Sequence, residues 1–372
     1  MMIDYIFDLL YDITIKLKSL SIKYEDMKIS HKVTKLIIVL TMMKFLVIFP
    51  PYFISGSDTL YLLTSKWDST LFETIAKYGY IKPYLFAFPP IYPFLIHLVH
   101  FIFGSYYISA LIVTNIFGYL FPIIVYKVFG YKTALLLELF PVYIIYSTLP
   151  YSDVIYLTAV GLVFYFLKKG KILPASIAMG FAITNFYSIA FTLPSFAVKL
   201  KQLFLKFIII PLVSGFVILI WYYLSTGNPF YYFELERNIW GVKFVTPLAQ
   251  VNWIMNGWFT TQHWTILSFE LKPIDWLIRN LSFEIFFIIL TIMLLRLKDK
   301  DKLFYLIYSL SVMIPLFFII GTPAISIPRL LLAAFPSFHS LKIDRTWLLI
   351  YVITSATLTP LFTFWQIYAF FS

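Results

Sequence analysis

From about residue 35 to the last residue, long apolar runs recur along the chain, separated by short polar breaks. A run of about 20 apolar residues spans the roughly 30 Å hydrocarbon layer of a bilayer as a helix. Runs such as "LIIVLTMMKFLVIFPPYF" and "YYISALIVTNIFGYLFPIIVYKVF" reach that length, and together the runs exceed what one globular core could bury. They predict an all-α, polytopic integral membrane protein with about eleven transmembrane helices. The piece "FAFPPIYPFLIHLVHFIFG" offers about 15 apolar residues after a Pro pair, too few to span comfortably, and reads as a helix lying in the interface. Around Asn185 an apolar stretch of about 26 residues is expected to break into two tilted halves.

Two amphipathic stretches stand apart from this pattern. In the N-terminal segment Asp4, Asp8 and Asp12 recur every four residues with Ile3, Ile6, Phe7, Leu10 and Tyr11 between them, as in a helix on the membrane surface. This start shows no basic leader followed by an apolar stretch and a small-residue cleavage site, so no removed signal peptide is expected. The second stretch is "SKWDSTLFETIAKYGY". As a helix it gathers Lys66, Thr70, Glu73 and Lys77 on one face, with Glu73 and Lys77 spaced to pair, and Trp67, Leu71, Phe72, Ile75 and Tyr78 on the other. Asp68 falls within the apolar arc, where an unpaired carboxylate is costly.

Composition supports the membrane reading. Of 372 residues, 61% are hydrophobic, 21% aromatic and only 13% charged. There are no cysteines, which excludes disulfides, zinc–thiolate sites and iron–sulfur clusters. The net charge of +11 is spread over short groups between apolar runs, so it marks topology and implies no nucleic-acid partner. With the Lys-rich segment 16–35 cytoplasmic, "KVFGYK", "KKGK", "KLKQLFLK", "RLKDKDK" and "KIDR" all fall inside. The segments 55–105, 149–153, a turn near Asn185, 225–275 and 321–329 then lie outside, and most polar residues with chemical potential are in that set.

Asp68 is the first candidate, either as a general base partly desolvated by Trp67 and Phe72 or, with Ser65, as a helix cap. Asp153 in "LPYSDVIYL" stands at the external mouth of a span, as a site residue or as a helix-capping group with Ser152. Arg329 is alone among apolar residues in "ISIPRLLLAAFPSF", suited to gripping a phosphate or to snorkelling toward lipid head groups. Further candidates are Glu234, Glu236, Arg237 and Trp240 in "NPFYYFELERNIWG". His97 and His100 have no accompanying carboxylate, so no metal site is expected, and nucleotide phosphate loops are absent.

These motifs resemble a family: the polytopic mannosyltransferases related to the second mannosyltransferase of GPI-anchor assembly, within the GT-C glycosyltransferase superfamily. The resemblance rests on "KWDSTLFETIAKYGY" followed by "FAFPPIYPFL", then "LPYSDVIYL", "GNPFYYFELERNIWG" and "SIPRLLLAAFPSF", in that order. It implies transfer of a hexose, mannose first, from a polyprenyl or dolichyl phosphate sugar to a lipid-linked or protein-linked acceptor on the external or lumenal face. Asp68 would be the base and Arg329 the residue at the lipid phosphate, with Trp67, Tyr80, Asp153, Glu234, Arg237 and Trp240 around the substrates. No cofactor is required, because the lipid phosphate sugar is itself the donor. The family often has Glu where this chain has Asp153, and an Arg-containing motif where it has "AITNFYS" with Asn185.

The expected organisation is a cytoplasmic amphipathic segment, residues 1–34, and a single GT-C-like transmembrane domain, residues 35–372, whose large first external loop carries amphipathic helices. The N-terminus is cytoplasmic and the membrane is the plasma membrane or the endoplasmic reticulum. Two other readings compete: a transporter or lipid flippase, and an inactive GT-C-like protein that serves a partner subunit.

Overall fold

The computed structural model describes residues 24–58, 61, 63, 66–256, 264–266 and 269–369. The expected surface helix with Asp4, Asp8 and Asp12, and the Ser65 cap, lie outside the described residues. Within them the chain is almost wholly helical, with two short two-stranded ribbons. Five helical stretches are long and apolar enough to cross a membrane: Ser30–Phe53, Tyr106–Phe129, Tyr187–Thr226, Pro273–Arg296 and Arg345–Ile367. Other apolar segments are assembled from shorter helices. Tyr131–Glu138 gives way to Pro141–Tyr146 at a proline, whose missing N–H suits a first helical turn and not a helix interior. The apolar stretch around Asn185 breaks there, with helix Ile172–Asn185 followed by the 3₁₀ turn Tyr187–Thr192 and helix Leu193–Leu200.

The bundle has two chemically distinct ends. At one of them Lys132 donates to the carbonyl of Ile343, Lys168 to the carbonyl of Val128, and Lys199 pairs with Asp301, so basic groups far apart in sequence converge. Helix Asp153–Lys168 leads away from that end. Its 16 residues put Asp153 on the order of 22 Å from Lys168 along the axis. The short helices of the first polar segment gather near Asp153: Asp68–Tyr78, the 3₁₀ turn Pro83–Ala87 and Ile91–Phe103, the last too short for a span at 13 residues.

Helix Asp68–Tyr78 is seated by Phe72, 4% exposed, whose ring meets Phe88 at 5.2 Å and Tyr92 at 4.9 Å edge to face. Burial of that one side chain contributes about 1.5–3 kcal/mol. The helix is rotated relative to the sequence expectation. Ser69, Phe72, Ile75 and Ala76 face inward, while Tyr78 is exposed and Glu73 is half-buried. Glu73 and Lys77 form no ion pair; the Lys77 ammonium lies 4.8 Å from the Tyr78 ring centre, and burial pushes the Glu73 carboxyl up to about 7. Trp67 itself lies outside the helix. It stands ahead of the first turn at φ +57°, off the helix, so it does not set the helical face that its position in sequence implied.

The later polar segment, with helices Tyr231–Asn238 and Pro247–Asn256, is fastened to the chain that leads into Arg329. Strand Lys243–Phe244 pairs antiparallel with Ile319–Ile320, and the Thr322 amide donates to the Trp240 carbonyl at 3.0 Å. Gly321 makes this crossing possible. Its φ is +94°, and a Cβ there would sit 2.5 Å from the Trp240 carbonyl oxygen and 2.7 Å from the Gly241 carbonyl carbon. Gly321→Ala is therefore expected to destabilise the fold by roughly 1–3 kcal/mol, seen as a lowered melting temperature of the purified protein in detergent; an unchanged melting temperature would show that the crossing has slack.

Candidate active site

Three carboxyl side chains and one cation meet in a cavity of about 150 Å³ at the end of the bundle remote from the basic groups. Asp68 comes from the first turn of its helix, Asp153 from the first turn of helix Asp153–Lys168, Glu236 from helix Tyr231–Asn238, and Arg329 from the short helix Ile327–Leu330. Arg329 is the only Lys or Arg on the cavity wall among the described residues.

Arg329 is the centre of the arrangement. Its Nη1 donates to Asp68 Oδ2 at 2.8 Å and its Nε lies 3.5 Å from Asp153 Oδ1, with exposures of 15%, 18% and 6% for the three side chains. The guanidinium also sits 5.6 Å from the Tyr146 ring centre and 5.4 Å from that of Tyr151. Burial works against its charge, but Asp153 and Asp68 outweigh that and raise its pKa above the ordinary arginine value. Among the described residues Nη2 donates no hydrogen bond.

A buried polar frame holds this centre. The carboxamide of Gln366, 3% exposed, accepts from the Tyr146 hydroxyl at 3.0 Å and donates to the Tyr151 hydroxyl at 2.6 Å. Its backbone carbonyl accepts from Trp67 Nε1 at 2.8 Å, and Lys66 donates to the next carbonyl, Ile367, at 2.6 Å. Trp67 thus anchors the Asp68 helix to the last helix and does not line the cavity. Sequence reasoning missed Gln366, Tyr146 and Tyr151. They are polar tips on otherwise apolar runs, and only the fold brings positions 146, 151 and 366 together.

The other sequence candidates divide clearly. Asp153, Trp240 and Glu236 line the cavity. Tyr80 does not: its hydroxyl donates to the Phe88 carbonyl at 2.8 Å, and its ring packs against Phe86 and Trp221. Glu234 accepts from Asn228 Nδ2 at 2.8 Å on the exposed side of its helix, and Arg237 is likewise exposed and off the cavity. His97 meets the Ala76 carbonyl at 2.9 Å and His100 stacks on Tyr106, so both serve packing. Asn185 lines the cavity, with Nδ2 donating to the Ser152 carbonyl at 3.2 Å and Oδ1 buried without a partner.

A second hollow of about 180 Å³ adjoins the first through the shared wall residues Phe186, Ser188, Tyr232, Glu236, Pro323 and Leu330. Its remaining lining is mainly apolar, including Phe191, Phe244, Val312 and Leu316. The polar cavity therefore continues into an oily groove. A larger hollow of about 780 Å³ lies elsewhere, between helices Pro273–Met293 and Arg345–Ala369. Its walls carry Glu270, Asp275 and Arg279 among mainly apolar side chains such as Phe140, Phe283, Phe286 and Leu358.

Removing the central charge leaves two carboxylates facing each other. Arg329→Gln is expected to cost about 3–5 kcal/mol, and Asp153→Asn in the same chain is expected to restore part of it. Thermal melts of the single and double variants in detergent check this; a double variant less stable than Arg329→Gln alone would contradict the charge argument.

No family model and no curated protein sequence matches the chain. Among solved structures, the crystal structure of ArnT from Cupriavidus metallidurans bound to undecaprenyl phosphate is similar, with a TM-score of 0.51 at 14% sequence identity. The match covers 88% of this chain and 63% of that one, so the chain spans less than two thirds of the length of its structural neighbour. At that identity the likeness is one of fold: the chain is a multi-pass helical membrane protein that shares the fold of that structure.

Proposed function

We propose that the chain is a membrane glycosyltransferase that takes a hexose, mannose in the first instance, from a polyprenyl phosphate sugar and transfers it to a lipid-linked or protein-linked hydroxyl. The observation that carries this reading is the cavity itself: a carboxylate, a cation and a polar wall that open into an apolar groove. An inverting transfer needs a base for the acceptor proton and charge stabilisation at the departing phosphate. Asp68 supplies the base, since Oδ2 is bonded to Arg329 and Oδ1 is left for the acceptor hydroxyl. Arg329 steadies the phosphate through Nη2, with its position fixed by Asp153. Asn185 Oδ1, buried and unpartnered, receives a sugar hydroxyl. The prenyl chain runs into the groove walled by Phe191, Phe244, Val312 and Leu316.

The likeness to a protein whose structure holds undecaprenyl phosphate supports a polyprenyl phosphate in this role. The gathering of basic groups at the opposite end supports a cytoplasmic placement for that end and an external or lumenal one for the cavity. A transporter reading has less support: Lys44, Glu138, Arg279 and Glu284 are also buried in the bundle, but none of them lines the cavity or its groove.

Asp68→Asn is expected to slow sugar transfer from radiolabelled polyprenyl-phosphate mannose by roughly 10²- to 10⁴-fold, in liposomes supplied with a crude acceptor lipid extract and with the variant's melting temperature retained. Wild-type activity in Asp68→Asn would remove the base assignment. Activity with another polyprenyl-phosphate hexose and none with mannose would correct the sugar and keep the reaction class.

A further inference from the structure

The charge balance of the cavity poses a problem for any anionic ligand. Asp68, Asp153 and Glu236 line the same wall as one cation, and Arg329 is already bonded to Asp68 and close to Asp153. With all three carboxyls ionised the wall carries a formal excess of two negative charges, and a lipid phosphate would add a third. Like charges gathered in a partly dry site repel one another more strongly than in water.

Glu236 differs from the other two carboxyls. It forms no ion pair with a described residue, whereas Asp68 and Asp153 share Arg329. It also sits at the junction, on the wall common to the polar cavity and the apolar groove, where a lipid's phosphate passes into its hydrocarbon chain. One turn further along the chain, Trp240 lines the same cavity with its Nε1–H buried and unpartnered, a donor left without an acceptor.

We propose that Glu236 acts as a neutral carboxylic acid that donates a hydrogen bond to the phosphate of the polyprenyl phosphate substrate, beside the indole N–H of Trp240. The proposal rests on the polyprenyl phosphate reading of the site and assigns the third carboxyl in it. A protonated carboxyl adds one donor and removes one negative charge, so the wall then presents Arg329 Nη2, Trp240 Nε1–H and the Glu236 O–H to the phosphate. Burial pushes the Glu236 carboxyl up to about 7; the Tyr232 hydroxyl pulls the other way and the nearby Asp68 adds to the rise. The charged and titratable groups facing it are Tyr232 on its own helix, Tyr187, Asp68, Asp153 and Arg329. The sign follows: the donor form holds below that value, and phosphate binding weakens as pH rises through it.

The test is equilibrium binding of a polyprenyl methyl phosphate, a diester that keeps one negative charge throughout, to the full chain in nanodiscs from about pH 5 to 9. Wild type is expected to lose affinity by about tenfold for each pH unit above roughly 7, the limit for one proton required in the bound state. Glu236→Gln keeps a neutral side chain with an N–H donor, and is expected to hold the low-pH affinity across the range. Glu236→Ala is expected to bind less tightly than wild type at low pH and to show no pH dependence there. A wild-type profile that is flat, or that Glu236→Gln reproduces, would overturn the proposal while leaving the lipid phosphate reading intact. No binding by wild type at any pH, with the melting temperature retained, would overturn both.

Discussion

The structure depends on one guanidinium held between two carboxylates. Arg329 and Asp68 are 261 positions apart in the chain, and Asp153 comes from a third segment, so their contact closes the fold around the cavity. A partly buried charge of this kind is costly alone and tolerable only with its partners in place. That condition explains the frame around it. Gln366 ties Tyr146 to Tyr151 behind the guanidinium, Trp67 ties the Asp68 helix to the same residue, and Gly321 lets the Trp240 segment cross the chain that delivers Arg329.

The same arrangement gives the molecule a polarity. Helix Asp153–Lys168 carries a carboxylate of the cavity at one end and a lysine of the basic cluster at the other. A chain with charges so sorted is suited to chemistry at one membrane face. Separate elements share the work of the proposed site: the short helix Asp68–Tyr78 brings the base, the Ile327–Leu330 turn brings the cation, and helix Tyr231–Asn238 brings the carboxyl that meets the oily groove. Each is short, and each is pinned by contacts to longer helices.

Much of this was legible before any coordinates. A charged residue stranded in an apolar chain must find a partner, which is why Asp68, Asp153 and Arg329 stood out, and they do meet. The break at Asn185 was legible from length alone. What was not legible turns on helical phase and on long-range contact. Glu234 and Glu236 are two residues apart in an eight-residue helix, too short a window for periodicity to say which faces inward, and it is Glu236 that lines the cavity. Trp67 falls on a helix face in the sequence pattern and instead precedes the helix, with a positive φ. Tyr80, credited with substrate contact, bonds the Phe88 carbonyl. Gln366 has no local signal at all, because its partners lie about 220 positions away.

The most direct measurement is photo-crosslinking of a diazirine-bearing polyprenyl phosphate to the purified chain in liposomes, with the labelled peptides mapped by mass spectrometry. The predicted result is labelling within residues 185–192, 232–244 and 312–330, which line the cavity and the groove beside it. Labelling confined to the basic end, at residues 127–132, 199–206 and 342–345, would contradict a phosphate site built on Arg329.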